Sequence, residues 1–472
     1  MSASEKRNLN RREFLRIGIL GASAVVLAAC QPNAAGPGQV AQATAGTEQA
    51  TEAPSAVAAA APGKTTVTVW WEDWGQLFDD LMKPIGNDYS KEHPNVTVEW
   101  TFLPQWREKF LTALAAGTPP DCTIVRPADL AGLANQGAFL ALDDRFAQMG
   151  LKREDFLTAT YDSCIWEGKQ YAIPGGADFD DLLYSKDIFK DAGLDPEKPP
   201  VTLDELVQQS LQILQKDSSG AITRLGWIPG AGDFHDWLVY LYGGELYDAQ
   251  NHKILANHPK NIECLEWMKK YVDQLDVNQL ASFNQSLPDF WSPGNPFASK
   301  KTAFRYDGYW DYDPLNRYAP DINYGVCTLP TLTGKPEERK NYAVGGWSVA
   351  IPNLTKVPDV GWDFIAYGWV KNAWKMGCET ENGCCVVGQM DQYQKCVLDA
   401  IGEKDRMYPY FHIFVEHGKV ATRFPPVSPV TTELMDQLNR AYDFVMRGEK
   451  TAEQALNEVT DTVQKDLDKA LA

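Results

Sequence analysis

From residue 65 to residue 71 polar and apolar side chains alternate, with Val67, Val69 and Trp71 on one face, and this period of two predicts a strand. Residues 78–92 carry a helical period, His93-Pro94-Asn95 turns the chain, and residues 96–100 alternate again as a second strand. A helix over 106–116 ends at Gly117, where glycine can take the left-handed cap. Pro119-Pro120-Asp121 leads into a third strand at 122–125, and residues 129–135 are helical up to Gly137. Alternating strands and helices predict an α/β fold with a mostly parallel sheet. Ligands of such sheets gather off the carboxyl ends of the strands. Trp71, Glu72, Trp74, Arg126 and Asp129 occupy those ends. Towards the C-terminus Leu434, Leu438, Ala441 and Val445 share one helical face, as do Leu456, Val459, Val463 and Leu467, which makes both faces packing surface.

Two stretches stand outside this pattern. Arg11-Arg12-Glu13-Phe14-Leu15-Arg16 precedes an apolar run, 17–29, that is short for a membrane span and ends in Leu27-Ala28-Ala29-Cys30. Residues 1–29 read as a twin-arginine export signal. The small residues before Cys30 resemble a bacterial lipobox, which implies cleavage there and lipidation of Cys30. Residues 30–63, rich in Ala, Thr, Gln, Gly and Pro, have too few apolar side chains for a core and read as a disordered tether. The second stretch is Tyr171-Ala172-Ile173 followed by Pro174-Gly175-Gly176, then Leu182-Leu183: strand, flexible break, strand. It suits a passage between two moving lobes, or a loop between two strands of one domain.

Length and charge narrow the class. A chain of 472 residues is long for one core and suits two lobes. A net charge of -19 argues against nucleic acid or an anionic membrane surface as the main partner. The 15 tryptophans supply flat apolar faces with one N–H each, which match sugar rings, although most are expected in the core. No Gly-rich dinucleotide loop, His-Glu-x-x-His or Gly-x-Ser-x-Gly occurs, and the six histidines lack ligand spacing, so no cofactor and no metal are expected.

The motifs then fall in an order that resembles one family. Tyr89-Ser-Lys-Glu-His-Pro-Asn-Val-Thr-Val98, Leu114-Ala-Ala-Gly-Thr-Pro-Pro-Asp121, Gly168-Lys-Gln-Tyr-Ala-Ile-Pro174, Leu183-Tyr-Ser-Lys-Asp-Ile-Phe189 and Lys301-Thr-Ala-Phe-Arg-Tyr-Asp-Gly-Tyr-Trp310 succeed one another. Asn323-Tyr-Gly-Val-Cys-Thr-Leu-Pro330 and Gly345-Gly346-Trp347 follow. Over about 64–360, and again from Asn439, the chain resembles the extracellular solute-binding proteins of ABC transporters, most of all the maltose-type and multiple-sugar branch. Val201-Thr-Leu-Asp-Glu205 has Leu203 where the family usually has tryptophan.

That resemblance implies a two-lobe periplasmic-binding-protein-like fold with the ligand between the lobes. Lobe 1 would hold residues 64–175 and 326–383, lobe 2 residues 176–325 and 384–472. Pro174, Gly175, Gly176, Tyr324 and Gly325 would be the hinge, with the chain returning to lobe 1 at 323–330 and crossing again near 375–385. The implied function is capture of a carbohydrate, an oligosaccharide first, by a monomer that closes and hands its cargo to ABC permease subunits. The body would be lipid-anchored on the outer face of the cytoplasmic membrane, with no other membrane contact. Besides the strand-end residues, Asp178, Asp233, Phe234, Trp237, Trp310 and Trp347 are the ligand candidates, Asp178 and Trp310 first. A polyamine or peptide ligand is the alternative. A secreted glycoside hydrolase using Asp178, Asp180 or Asp181 with Glu72 is the enzyme alternative.

Four of the cysteines that follow Cys30 cluster at Cys378, Cys384, Cys385 and Cys396, and outside the cytoplasm disulfides are the first expectation. Cys378 would pair with Cys384 or Cys385 and the other with Cys396; free thiols or a metal site are the alternatives. Cys122 and Cys327 fall in predicted core strands.

Overall fold

The computed structural model describes residues 63–288, 292 and 294–472. The export signal, Cys30 and the tether up to residue 62 lie outside them. The predicted first strands and helices are present: β1 (Thr65–Glu72), β2 (Val96–Leu103) and β3 (Cys122–Val125) alternate with helices Gln76–Glu92, Trp106–Ala116 and Pro127–Asn135. A short hairpin, β4 (Ile165–Trp166) and β5 (Lys169–Gln170), precedes β6 (Ala172–Asp178) and β7 (Asp181–Ser185). Two further hairpins, β8 (Gln215–Lys216) with β9 (Ile222–Arg224) and β10 (Tyr247–Asp248) with β11 (Lys253–Ile254), decorate the second half. β12 (Phe304–Asp307), β13 (Tyr324–Cys327) and β14 (Gly345–Ala350) complete the strands.

These strands build two principal sheets. One has the order β2-β1-β3-β14-β6 and the other β12-β7-β13. The first is mixed rather than mostly parallel. β1 runs parallel to β2 and β3, but β14 comes back from the other sheet and pairs antiparallel with both β3 and β6. Each sheet has its own core. Val67, Val69, Phe110, Ile124, Ile173 and Val349 fill the first. Leu183, Phe189, Phe234, Leu265, Leu438 and Leu456 belong to the second. The two C-terminal helices, Thr431–Met446 and Ala452–Leu471, bury all eight apolar residues of the predicted faces in that second core.

The chain passes from the first sheet to the second through Phe179 and Asp180 alone, the two residues between β6 and β7. Pro174 and Gly176 lie before that passage, inside β6 and paired with β14, while Gly175 between them bulges out of register with no partner on β14. The return differs from the expectation. Tyr324 and Gly325 do not carry the chain back, because β13 pairs antiparallel with β7, Tyr324 opposite Ser185 and Gly325 opposite Tyr184. The chain rejoins the first sheet only at Gly345, opposite Asp178. The apolar run of β13 is a core strand of the second lobe, and the same apolar pattern would serve either sheet. A third contact closes the seam: Ala177 and Gly383 exchange backbone hydrogen bonds of 3.1 and 2.9 Å.

The cysteine cluster pairs differently from the expectation. Cys378 and Cys396 form the disulfide, closing a stretch 18 residues apart, while Cys384 and Cys385 are free and buried. The helices Ala373–Glu379 and Met390–Ile401 turn back on each other and bring the outer two sulfurs together. Cys122 lies fully buried in β3. Cys327 is a half-buried member of β13.

Gly175 and Gly176 face the indole of Trp347, and a Cβ on Gly176 would lie 2.6 Å from that ring. The glycines admit the ring, and Gly175 is the bulged residue of the ribbon. Gly176→Ala is therefore expected to cost about 1–3 kcal/mol through overpacking, read from the urea midpoint. Trp347→Leu in the same background should recover part of the loss. An unchanged midpoint for Gly176→Ala would show that the ring does not seat there.

Candidate functional site

A cavity of about 270 Å³ lies where the two sheets meet. Arg126, Pro127 and Ala128, at the carboxyl end of β3 and the start of the following helix, form one wall. Asp178 and Asp180 form the floor, at the passage between the sheets. Asp236, Tyr306 and Met435 come from the second lobe, and Gly345 and Gly346 from the start of β14. Gly346 has φ +126°, and a Cβ there would lie 2.1 Å from the carbonyl oxygen of Gly176, so only glycine fits.

The cavity is acidic. Burial pushes the Asp178 carboxyl up to about 6; Arg126 opposes this and Asp307 adds to it. Asp180 is raised well above the ordinary carboxylate range by burial and then by its neighbours Asp178 and Asp307. Arg126 is committed to Glu72, with Nε at 3.1 Å and Nη2 at 3.0 Å from Oε2. Its guanidinium also lies 5.2 Å from the centre of the Trp74 ring, and Trp74 Nε1 donates to the same Glu72 oxygen at 3.0 Å. Glu72, Trp74 and Arg126 thus form one linked group at the strand ends.

Of the residues the sequence put forward, Arg126, Asp178 and, from the hydrolase alternative, Asp180 line this cavity, with Glu72 and Trp74 beside them. Asp129 instead turns to Arg107, whose Nε lies 2.5 Å from its carboxylate. Asp233 accepts from the Gly230 N–H at 2.8 Å and from Trp237 Nε1 at 2.9 Å, which ties it to the start of its own helix. Asp236, three residues on, lines the cavity in its place. Four aromatic candidates are core residues. Trp71 is wholly buried among Trp74, Trp100, Trp347 and Trp369, and Trp347 is 3% exposed. Phe234 and Trp237 are equally buried in the second lobe. Each sits where an inward strand or helix position needs a large apolar side chain, so its face is taken by packing. Trp310, half-buried, stands just past Tyr306 at the end of β12, outside the lining of this cavity.

The sequence reading missed Asp236, Tyr306 and Met435. Asp236 and Met435 sit on helices at positions with no pattern to distinguish them from surface. Tyr306 was hidden inside a strand motif, although its place just before Asp307-Gly308 marks it as a strand end. Asp181, an enzyme candidate, is fully buried, accepts from the Leu329 N–H at 3.2 Å and lies 3.4 Å from His417 Nδ1. It holds the second lobe together. Among the described residues no helix is long and apolar enough to cross a membrane.

Comparison with known proteins agrees with this geometry. The chain belongs to the family described as bacterial extracellular solute-binding proteins, whose pattern residues 45–368 match. It is 28% identical over 312 residues to the diacetylchitobiose binding protein DasA of Streptomyces coelicolor, covering 64% of this chain and 68% of that one. The solved structure of CpMnBP1 with mannotriose bound superposes with a TM-score of 0.70 at 26% identity, covering 85% of this chain and 100% of that one. The sugar-binding protein MalE from Xanthomonas citri, at 19% identity and a TM-score of 0.68, covers 86% of this chain and 98% of its own, and shows the shared two-lobe fold.

The raised carboxyls set a pH dependence. Folding favours the neutral form of Asp178, so its favourable contribution is full below the ordinary value of 3.8 and is lost as pH rises through about 6. Asp178→Asn is therefore expected to stabilise the ligand-free protein at pH 7.5 and to make little difference near pH 3.5, measured by chemical denaturation at both pH values. An equal gain at both would contradict the assignment.

Proposed function

From membership of the solute-binding family, we propose that this protein captures a carbohydrate in the cleft between its lobes and delivers it to an ABC importer by lobe closure. The observation that carries the reading is that one cavity is walled by both lobes, with Arg126 and Ala128 on one side and Asp236, Tyr306 and Met435 on the other. A ligand touching both walls stabilises the closed arrangement by its differential contacts, and the closed shape is what a permease can recognise. Carboxylates at Asp178, Asp180 and Asp236 accept hydrogen bonds from sugar hydroxyls, and a carboxyl that keeps its proton can donate one. Trp310, half-buried past the end of β12, is the aromatic ring this reading assigns to a sugar face. The relatives support a saccharide: one is named for diacetylchitobiose and one solved structure holds mannotriose.

The protein on this reading acts as a monomer, needs no cofactor and performs no catalysis. It leaves the cell by the twin-arginine route and is held through lipidated Cys30, with residues 31–63 as tether. The hinge lies at the passage through Phe179 and Asp180 together with its neighbours Asp178 and Gly345. Lobe 1 comprises about 64–178 and then about 345–376, from β14 through Trp369 and Met376 of the first core; lobe 2 comprises the rest of the described body.

A second reading has its own observation. Three carboxylates line the cavity while its one arginine is spent on Glu72, which suits a cationic solute such as a polyamine. Calorimetry at pH 7 with neutral oligosaccharides and with spermidine separates the two. A saccharide should bind one to one, and Asp178→Ala should weaken it by about 10-fold or more, the loss expected when a charged hydrogen-bond partner is removed. Binding of spermidine alone would transfer the case to the cation. Release of shortened sugars during the titration would overturn the binding role.

A further inference from the structure

Between the helices Ala373–Glu379 and Met390–Ile401 the chain runs through residues 380–385, all six of them buried and none in a helix or strand. Buried irregular backbone is uncommon, because a loop does not supply partners to its own N–H and C=O groups. Here the partners come from the seam between the lobes. Gly383 exchanges its two hydrogen bonds with Ala177, and the Leu157 N–H donates to the Cys385 carbonyl at 2.9 Å. The Trp347 indole N–H donates to Asn382 Oδ1 at 3.3 Å. Glu381 takes φ +58°, a left-handed conformation that persists in a non-glycine residue only where its surroundings hold it.

This loop supports the part of the ribbon that carries Asp178. Ala177 precedes Asp178 and Phe179 follows it, and both rest on Gly383. A Cβ on Gly383 would lie 2.5 Å from the Phe179 ring and 2.6 Å from the Ala177 carbonyl oxygen. The Cys378–Cys396 disulfide closes the base of the same loop. Met376 belongs to the first core, whereas Cys378 and Cys384 belong to the second, so the crosslink stands where the chain changes cores. Its far end is well anchored: Tyr393, on the helix of Cys396, packs edge-on against Phe411 at 5.6 Å.

We propose that the Cys378–Cys396 disulfide is a positioning device for the cleft, fixing the loop so that Gly383 holds Ala177 and Phe179, and with them Asp178, in place. A crosslink acts by removing freedom from the chain it encloses, and the enclosed residues here are the ones that touch the ribbon. Opening the bond frees the loop first and the ribbon next, while the two cores keep their own packing. The consequence for a ligand rests on the cleft being the binding site; the consequence for the ribbon does not.

The test compares the wild type with Cys378→Ser/Cys396→Ser and with Leu456→Ala, which weakens the second core away from the seam. Hydrogen exchange of the ligand-free proteins, read by mass spectrometry, should rise about 10-fold over residues 172–180 in the double variant, with residues 65–72 and 452–467 still protected. Leu456→Ala should lower the melting temperature at least as far and leave residues 172–180 protected. Calorimetry with mannotriose and with spermidine should show that whichever of them the wild type binds is held about 5-fold more weakly by the double variant. Unchanged exchange at 172–180 in the folded double variant, the same rise in Leu456→Ala, or an unchanged affinity would overturn the proposal. If the double variant does not fold, the wild type is titrated with a reductant and its thiols counted by mass. Exchange at 172–180 should then rise as the bond opens and before the cores do; simultaneous opening would overturn the proposal. Failure of the wild type to bind either probe would count against the cleft reading, and the exchange data would still decide the role of the disulfide.

Discussion

The antiparallel pairing of β6 with β14 is the constraint on which the site depends. These are the strands at which the chain leaves the first sheet and returns to it, and the pairing runs to Asp178 opposite Gly345. Trp347 sits on Gly175 and Gly176, and a Cβ on Gly346 would lie 2.1 Å from the Gly176 carbonyl oxygen, so the ribbon is tight on both faces. Two residues later the chain is already in β7 of the other sheet. Phe179 anchors the passage: its ring fills the space that a side chain on Gly383 or Gly418 would occupy. What remains at the seam is a short, well-packed ribbon that carries Asp178 to the floor of the cleft.

Electrostatics follow from that placement. Asp178 and Asp180 are brought together with Asp236 and with Asp307 behind them, while Arg126 is held by Glu72 and Trp74. Burial is the main cause that raises both carboxyls, and the like charges beside them add to it. The carboxyls of Asp178, Asp180 and Asp236 therefore offer hydrogen-bonding groups that a polyhydroxylated or cationic solute can use.

Much of the fold was legible because its periods are strong. β1 and β3 and the helix Trp106–Ala116 appear where alternation, Gly117 and the Pro119-Pro120 break put them. The C-terminal faces from Leu434 to Leu467 are buried as their spacing requires. Strand ends were also readable, which singled out Glu72 and Arg126 beside the cavity, while Asp178 came from the family resemblance at the crossover. The failures have physical reasons. Tryptophan was read as a platform, but at Trp71, Trp237 and Trp347 its area is used in packing, and residue type cannot separate the two. The return crossing was set at 323–330 because an apolar strand after a charged loop looks the same in either lobe. Asp233 and Asp236 lie three residues apart, and only the turn at Gly230 decides which one is consumed locally. Disulfide partners depended on how two helices fold back, which spacing does not encode.

Closure of the lobes about a bound solute is the centre of the account, and a distance across the cleft reports it most directly. Spin labels placed at Lys109, exposed on the first lobe, and at Glu266, exposed on the second, would give that distance by pulsed electron resonance. The remaining free cysteines of the described body are buried or half-buried, so labelling favours the introduced sites. The account predicts a distribution that moves to a distinctly shorter distance when a saturating saccharide is added, and does not move in Asp178→Ala at the same concentration. An identical distribution with and without a saccharide shown to be bound would contradict it.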